Sequence, residues 1–86
     1  MVRRLEAEIT LEYDDSKIAE AIAKAVSPDN FKTPKGLFIK TARRTNRVIT
    51  RLNHNGKFAT FIATIDDLLF CASTAEKAIQ TANGFE

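Results

Sequence analysis

Asp66 and Asp67 are the carboxylates that a search for acid–base chemistry meets first in this 86-residue chain. They sit side by side in a stretch with helical spacing. Adjacent helix positions point in directions about 100° apart, so the pair cannot converge on one reacting atom and reads as solvated helix surface. His54, the sole histidine, lies between Asn53 and Asn55, where it reads as a turn residue with no partnered nucleophile. Cys71, the sole cysteine, falls near an apolar helical stripe and reads as a buried, inert thiol. A single cysteine excludes an internal disulfide and fits a reducing compartment. His54 and Cys71 are too far apart in sequence for metal-ligand spacing. Gly36 and Gly56 stand alone, so no glycine loop cradles a phosphate. These residues predict a protein that is not an enzyme and holds no metal or cofactor.

Charge is the more informative chemistry. The net charge is only +2, but six acids (Glu6, Glu8, Glu12, Asp14, Asp15, Glu20) fall in the first twenty residues. The run "KTARRTNRVITR" then carries Lys40, Arg43, Arg44, Arg47 and Arg51 without one acid. If this run is a hairpin, Lys40, Arg44, Arg47 and Arg51 share the face opposite Leu37 and Val48. Lys40 and Arg51 are placed to pair across strands with Glu6, Glu8 and Glu12. Arg43, Arg44 and Arg47 surround the hairpin tip beyond those glutamates, and there a positive patch for RNA phosphates competes with simple solvation. Phe38 and Ile49 fall on the same outward face, either marking an interface between copies or packing on one another.

The elements that must position these residues follow from periodicity. "RLEAEITLEY" alternates Leu5, Ala7, Ile9, Leu11 and Tyr13 with polar residues, a strand with one wet face. "DDSKIAEAIAKAV" switches to a helical stripe of Ile18, Ile22 and Val26, with Asp14, Asp15 or Ser16 available as cap. Pro28 forces Ser27 out of the helical region and ends it. A long connector through Pro34 and Gly36 leads to a strand from Leu37. "RTN" (44–46) makes a turn in which Asn46 tolerates positive φ, and a third strand runs over Val48, Thr50 and Leu52. "NHNG" reads as a second turn, and a helix starts at Lys57. "STAE" (73–76) matches a capping box, so the helix either restarts there or continues to about Thr81.

Strand, helix, strand, strand, helix predicts an α+β fold. One crossover helix leaves the first two strands parallel, so the third fits between them antiparallel in a three-stranded sheet of order 1-3-2, with both helices on one face. The chain reads as one domain over 1–86. A core this small is marginal alone, which makes association with another chain the remaining source of stability. No apolar stretch approaches the roughly twenty residues of a bilayer span, and "MVRRLEAEI" has no apolar signal core; the expectation is a cytoplasmic protein with no membrane partner. The second helix carries Phe58, Phe61, Ile62, Ile65, Leu68 and Leu69 over a wider arc than one sheet covers. Phe61, Leu68 and Ala72 form one edge of that arc, facing either a partner helix or the first helix of the same chain.

"SPDN" followed by "PKGLFIK", a hairpin and "FATFIATIDDLL" resembles the small dimerising subunit of the KEOPS (EKC) complex, the polarised-growth chromatin-associated controller family related to the cancer/testis antigen proteins. The likeness runs from Leu5 to about Ile79. Such a resemblance implies a non-catalytic homodimer joining two copies of the catalytic subunit that completes threonylcarbamoyl-adenosine in tRNA. It implies helix pairing with that subunit through a surface at or just above Ile18, Ile22, Val26, Phe61, Ile65, Leu68 and Leu69. Phe38 and Ile49 are the candidates for a dimer interface, and Arg43, Arg44 and Arg47 for contact with tRNA in the complex. The alternative is a standalone RNA-binding module of split βαβ type.

Overall fold

The computed structural model describes residues 4–27 and 35–82. The expectations for Pro28, for Pro34 and for the "PDN" signature lie outside the described residues. Strand β1 (Arg4–Glu12) leads to helix α1 (Ser16–Ala25), the hairpin β2 (Leu37–Arg44) and β3 (Arg47–Asn55), and helix α2 (Phe58–Ala82). The sheet is three-stranded in the order β1-β3-β2, with both pairings antiparallel. The architecture is thus the α+β arrangement read from the sequence.

Local chemistry explains each boundary. Of the three candidate caps it is Asp15 that opens α1, in an extended conformation, with its Oδ1 accepting from the Lys17 N–H at 2.7 Å. The helix closes at Val26, whose N–H donates to the Ile22 carbonyl at 3.0 Å. The hairpin tip is the two-residue loop Thr45–Asn46, tighter than the expected three, and the positive φ falls on Thr45 (57°) rather than on Asn46. A β-branched residue is strained there. Asn46 is occupied otherwise: its side chain donates to the Tyr13 carbonyl at 2.6 Å, and its own carbonyl accepts from the Tyr13 N–H at 2.8 Å. These bonds fasten the tip to the end of β1.

His54 is not a turn residue. It lies in β3, opposite Leu5 and Leu37, and is only 4% exposed. The strand therefore takes in the first three residues of the expected "NHNG" turn, and the chain reverses only at Gly56. A Cβ at Gly56 would sit 2.9 Å from the His54 Nε2, so the glycine lets the backbone close over the imidazole. The His54 Nδ1 is buried without a hydrogen-bond partner among the described residues, a state that costs on the order of 1–3 kcal/mol.

The core lies between the helices and one sheet face, in two clusters. Ala19 and Ile22 of α1, with its cap residue Val26, meet Val48, Leu68 and Ala72, with Ile9, Leu11 and Tyr13 packed alongside. Leu37 and Leu52 meet Phe61, flanked by Leu5, Ala7, Ile39 and Ile65. Helix α2 is continuous through Ser73, so the capping-box restart does not occur. At about 1.5 Å per residue its 25 residues reach about 37 Å, whereas nine-residue β3 spans about 30 Å. The helix therefore returns along the whole sheet and overshoots it.

Candidate interaction surfaces

The residues singled out for catalysis stay apart. Asp66 and Asp67 are both exposed on α2, and among the described residues no three His, Cys, Asp or Glu side chains gather as a metal would require. Cys71 is a half-buried free thiol rather than a fully buried one.

The helices divide the predicted partner residues into two groups. Ile22, Val26, Phe61 and Leu68 are buried in the chain's own core, so of the two positions the resemblance allows, on the helix surface or beneath it, they take the one beneath. Phe61 meets Leu37 and Leu52, while Leu68 meets α1 and Val48; no partner reaches them without unfolding the chain. Ile18 and Ile65 are half-buried at the core margin, and Leu69 is 42% exposed. Phe58, Ile62 and Leu69 are all exposed and fall within about 40° of one another around the helix axis. Ile65 borders this stripe and packs against the Leu37–Leu52–Phe61 cluster, as do Leu5, Ala7, Ile9 and Ile39. Farther along, Glu76 continues the same line and accepts a hydrogen bond from the Tyr13 hydroxyl at 2.6 Å. The stripe therefore runs along α2 on the side of β1.

Phe70 is a surface residue that the sequence pattern did not single out. It is 72% exposed and lies about 100° around the helix from Leu69. With Ala25, Cys71, Thr74, Ala75 and Ala78 it lines a shallow groove of about 300 Å³ between α1 and α2. The wall is made of small residues, which lets another helix backbone come close. Its signal in the sequence was the alanine spacing along both helices.

Strand β1 is itself an open edge. All nine of its residues pair one-to-one with β3, without a bulge, and none is Gly or Pro. Its inward residues Leu5, Ala7, Ile9 and Leu11 are only half-buried. Edge strands in isolated proteins are usually blunted by bulges, prolines or unpaired charge. On β1 the outward glutamates are neutralised instead. Arg4 meets Glu6 at 3.1 Å, Arg51 meets Glu8 at 2.7 Å and Arg47 meets Glu12 at 2.7 Å. Exposed pairs of this kind contribute only about 0.2–1 kcal/mol each, but they strip the edge of repulsion.

Those pairs also correct the reading of the basic run. Arg51 pairs as expected. Arg47 was placed beyond the glutamates, yet the two-residue turn sets it directly opposite Glu12. Lys40, expected to pair, has no salt bridge among the described residues, and neither has Arg44. Arg43 turns its Nη1 onto the Thr45 carbonyl at 2.8 Å. Phe38 and Ile49 do not touch: Phe38 lies opposite Asn53 and Ile49 opposite Ala42, about 13 Å apart along the strand.

Tyr13 locks the far half of α2 to β1. Burial, then the hydrogen bond and the charge of Glu76, push its ionisation well above the ordinary value of 10. Phe58–Gln80 is long and apolar enough to cross a membrane by length and composition, contrary to the sequence expectation. The segment nonetheless carries Asp66, Asp67, Glu76 and Lys77 and lays one face on its own sheet. Charges at that depth are costly in hydrocarbon. Its surplus apolarity sits in the exposed stripe and at Phe70.

No family model matches the chain, and no curated protein does. Among solved structures, a chain in the crystal structure of the binary Gon7–Pcc1 complex superposes with a TM-score of 0.77, over 91% of this chain and 95% of that one, at 13% identity. The fold is Pcc1-like. At this identity the likeness speaks for the fold alone.

Proposed function

We propose that this protein is a non-catalytic scaffold subunit of a KEOPS-type complex, cytoplasmic, which dimerises and docks the threonylcarbamoyl transferase subunit that acts on tRNA. The observation that carries the reading is the pair of unpartnered apolar surfaces on opposite flanks of α2 in a Pcc1-like fold. On one flank, the open β1 edge and the Phe58–Ile62–Leu69 stripe suit a second copy. Two β1 edges extend the sheet, and the stripes of two α2 helices close over the half-buried Leu5, Ala7, Ile9 and Leu11. On the other flank, the groove at Phe70 suits helices of the catalytic subunit. The homologue-like motif "SPDN…PKGLFIK" supports the same assignment. The proposed contacts are thus Leu69, with Ile18 and Ile65 at the margins, joined by Phe58, Ile62 and Phe70.

Affinity purification of the tagged full chain from its own cells tests the reading. The expected co-purifying protein is the threonylcarbamoyl transferase subunit, in equal copy number, and Phe70→Glu loses it while keeping the dimer. Recovery without that subunit, or its retention by Phe70→Glu, contradicts the assignment.

A further inference from the structure

The sheet face turned away from both helices carries a row that neither proposed protein contact uses. Along β2 it presents Phe38, Lys40, Ala42 and Arg44, all exposed, with Phe38 at 68%. Across from them stand Asn53, Arg51, Ile49 and Arg47 of β3. Two of these four pairs, Lys40–Arg51 and Arg44–Arg47, set like charges directly opposite, an arrangement that costs stability in a sheet. Glu8 and Glu12 draw Arg51 and Arg47 toward β1, which leaves Lys40 and Arg44 on the β2 side uncompensated. Between the two pairs, Lys40, Ala42, Arg44, Ile49 and Arg51 line a concavity of about 180 Å³. An exposed aromatic two positions from a cation, repeated cations along one strand, and a small apolar floor match the chemistry of stacked bases and a phosphodiester backbone.

We infer that this outer face binds single-stranded nucleic acid, Phe38 stacking on a base and Lys40 and Arg44 meeting the phosphates. The inference is independent of the scaffold reading, because it concerns the face away from the helices. An acidic peptide would satisfy the cations but leave the exposed Phe38 unexplained.

The test is anisotropy of labelled oligouridylate titrated with the full-length protein at low salt. Single-stranded RNA is expected to bind, with log affinity falling against log salt at a slope of about −1.4 for two phosphate contacts. Phe38→Ala weakens binding roughly ten-fold while Phe38→Tyr keeps it. Lys40→Glu with Arg44→Glu weakens it further and flattens the salt slope, with unchanged circular dichroism. Equal binding of oligothymidylate supports a site for bases and phosphates generally, and preference for RNA supports one that also reads the 2′-hydroxyl. Absence of binding overturns the inference. So does duplex binding as tight as single-strand binding with Phe38→Ala silent, displacement by an acidic peptide at equal concentration, or Phe38→Ala converting a dimer to a monomer.

Discussion

Leu68 and Leu69 are neighbours on α2, and the account gives them opposite roles. Leu68 is 0% exposed, packed among Ile22, Val26 and Val48, whereas Leu69 is 42% exposed on the stripe beside β1. Truncating a fully buried leucine costs about 2–5 kcal/mol. A chain of this size has about 4–13 kcal/mol of stability in all, so Leu68→Ala removes from about a sixth of it to the whole. At about 4–8 °C per kcal/mol for a small domain, the midpoint falls by at least about 8 °C. Leu69→Ala deletes a side chain that the isolated chain buries only in part, so the monomer loses about 1 kcal/mol or less. In a symmetric dimer the stripe occurs twice. If each copy forfeits about 1 kcal/mol of burial at the contact, the dissociation constant rises by about thirty-fold. Urea melts followed by circular dichroism, at concentrations below and above dimerisation, separate the two effects, since association adds stability only above it. The expected result is a large, concentration-independent loss for Leu68→Ala and a loss confined to high concentration for Leu69→Ala. Equal losses for both variants at every concentration would show the stripe to be core and refute the reasoning.

Tyr13 is the sole tyrosine, so its tyrosinate absorbance reads one group. With its folded pKa raised, the stabilisation is fully present below the unfolded value near 10 and is lost as pH rises beyond it. Alkaline titration should show ionisation delayed until unfolding, and Tyr13→Phe should cost about 1 kcal/mol at neutral pH; an ordinary titration in the folded protein contradicts the Glu76 contact. Thr45→Gly relieves a β-branched residue at positive φ and should raise stability by up to about 1 kcal/mol, measured by urea denaturation; a loss would mean that the turn tolerates threonine without strain.

The sheet order was legible because β1 alternates without exception and one crossover helix admits few arrangements. What local sequence could not show was set by register and by neighbours. Arg47 reaches Glu12 only because the hairpin turns on two residues instead of three. His54 looks like a turn residue between two asparagines, yet it takes a buried position opposite Leu5 and Leu37, with Gly56 making room. The capping box at Ser73 is overridden because Ala72, Ala75 and Ile79 continue one buried line against α1 and β1. The breadth of the apolar arc on α2 was visible in the sequence. Which of its edges faces inward depends on where α1 lies, and that turned Phe61 and Leu68 into core and left Phe58, Ile62 and Leu69 outside.

The scaffold account stands most directly on the mass of the isolated full-length chain, measured by sedimentation equilibrium across the micromolar range. It predicts a dimer for the wild type and a folded monomer for Ile62→Glu with Leu69→Glu, since a carboxylate in each copy of the stripe would be desolvated without a partner. A monomer at every concentration, or a dimer that survives both substitutions, would contradict it.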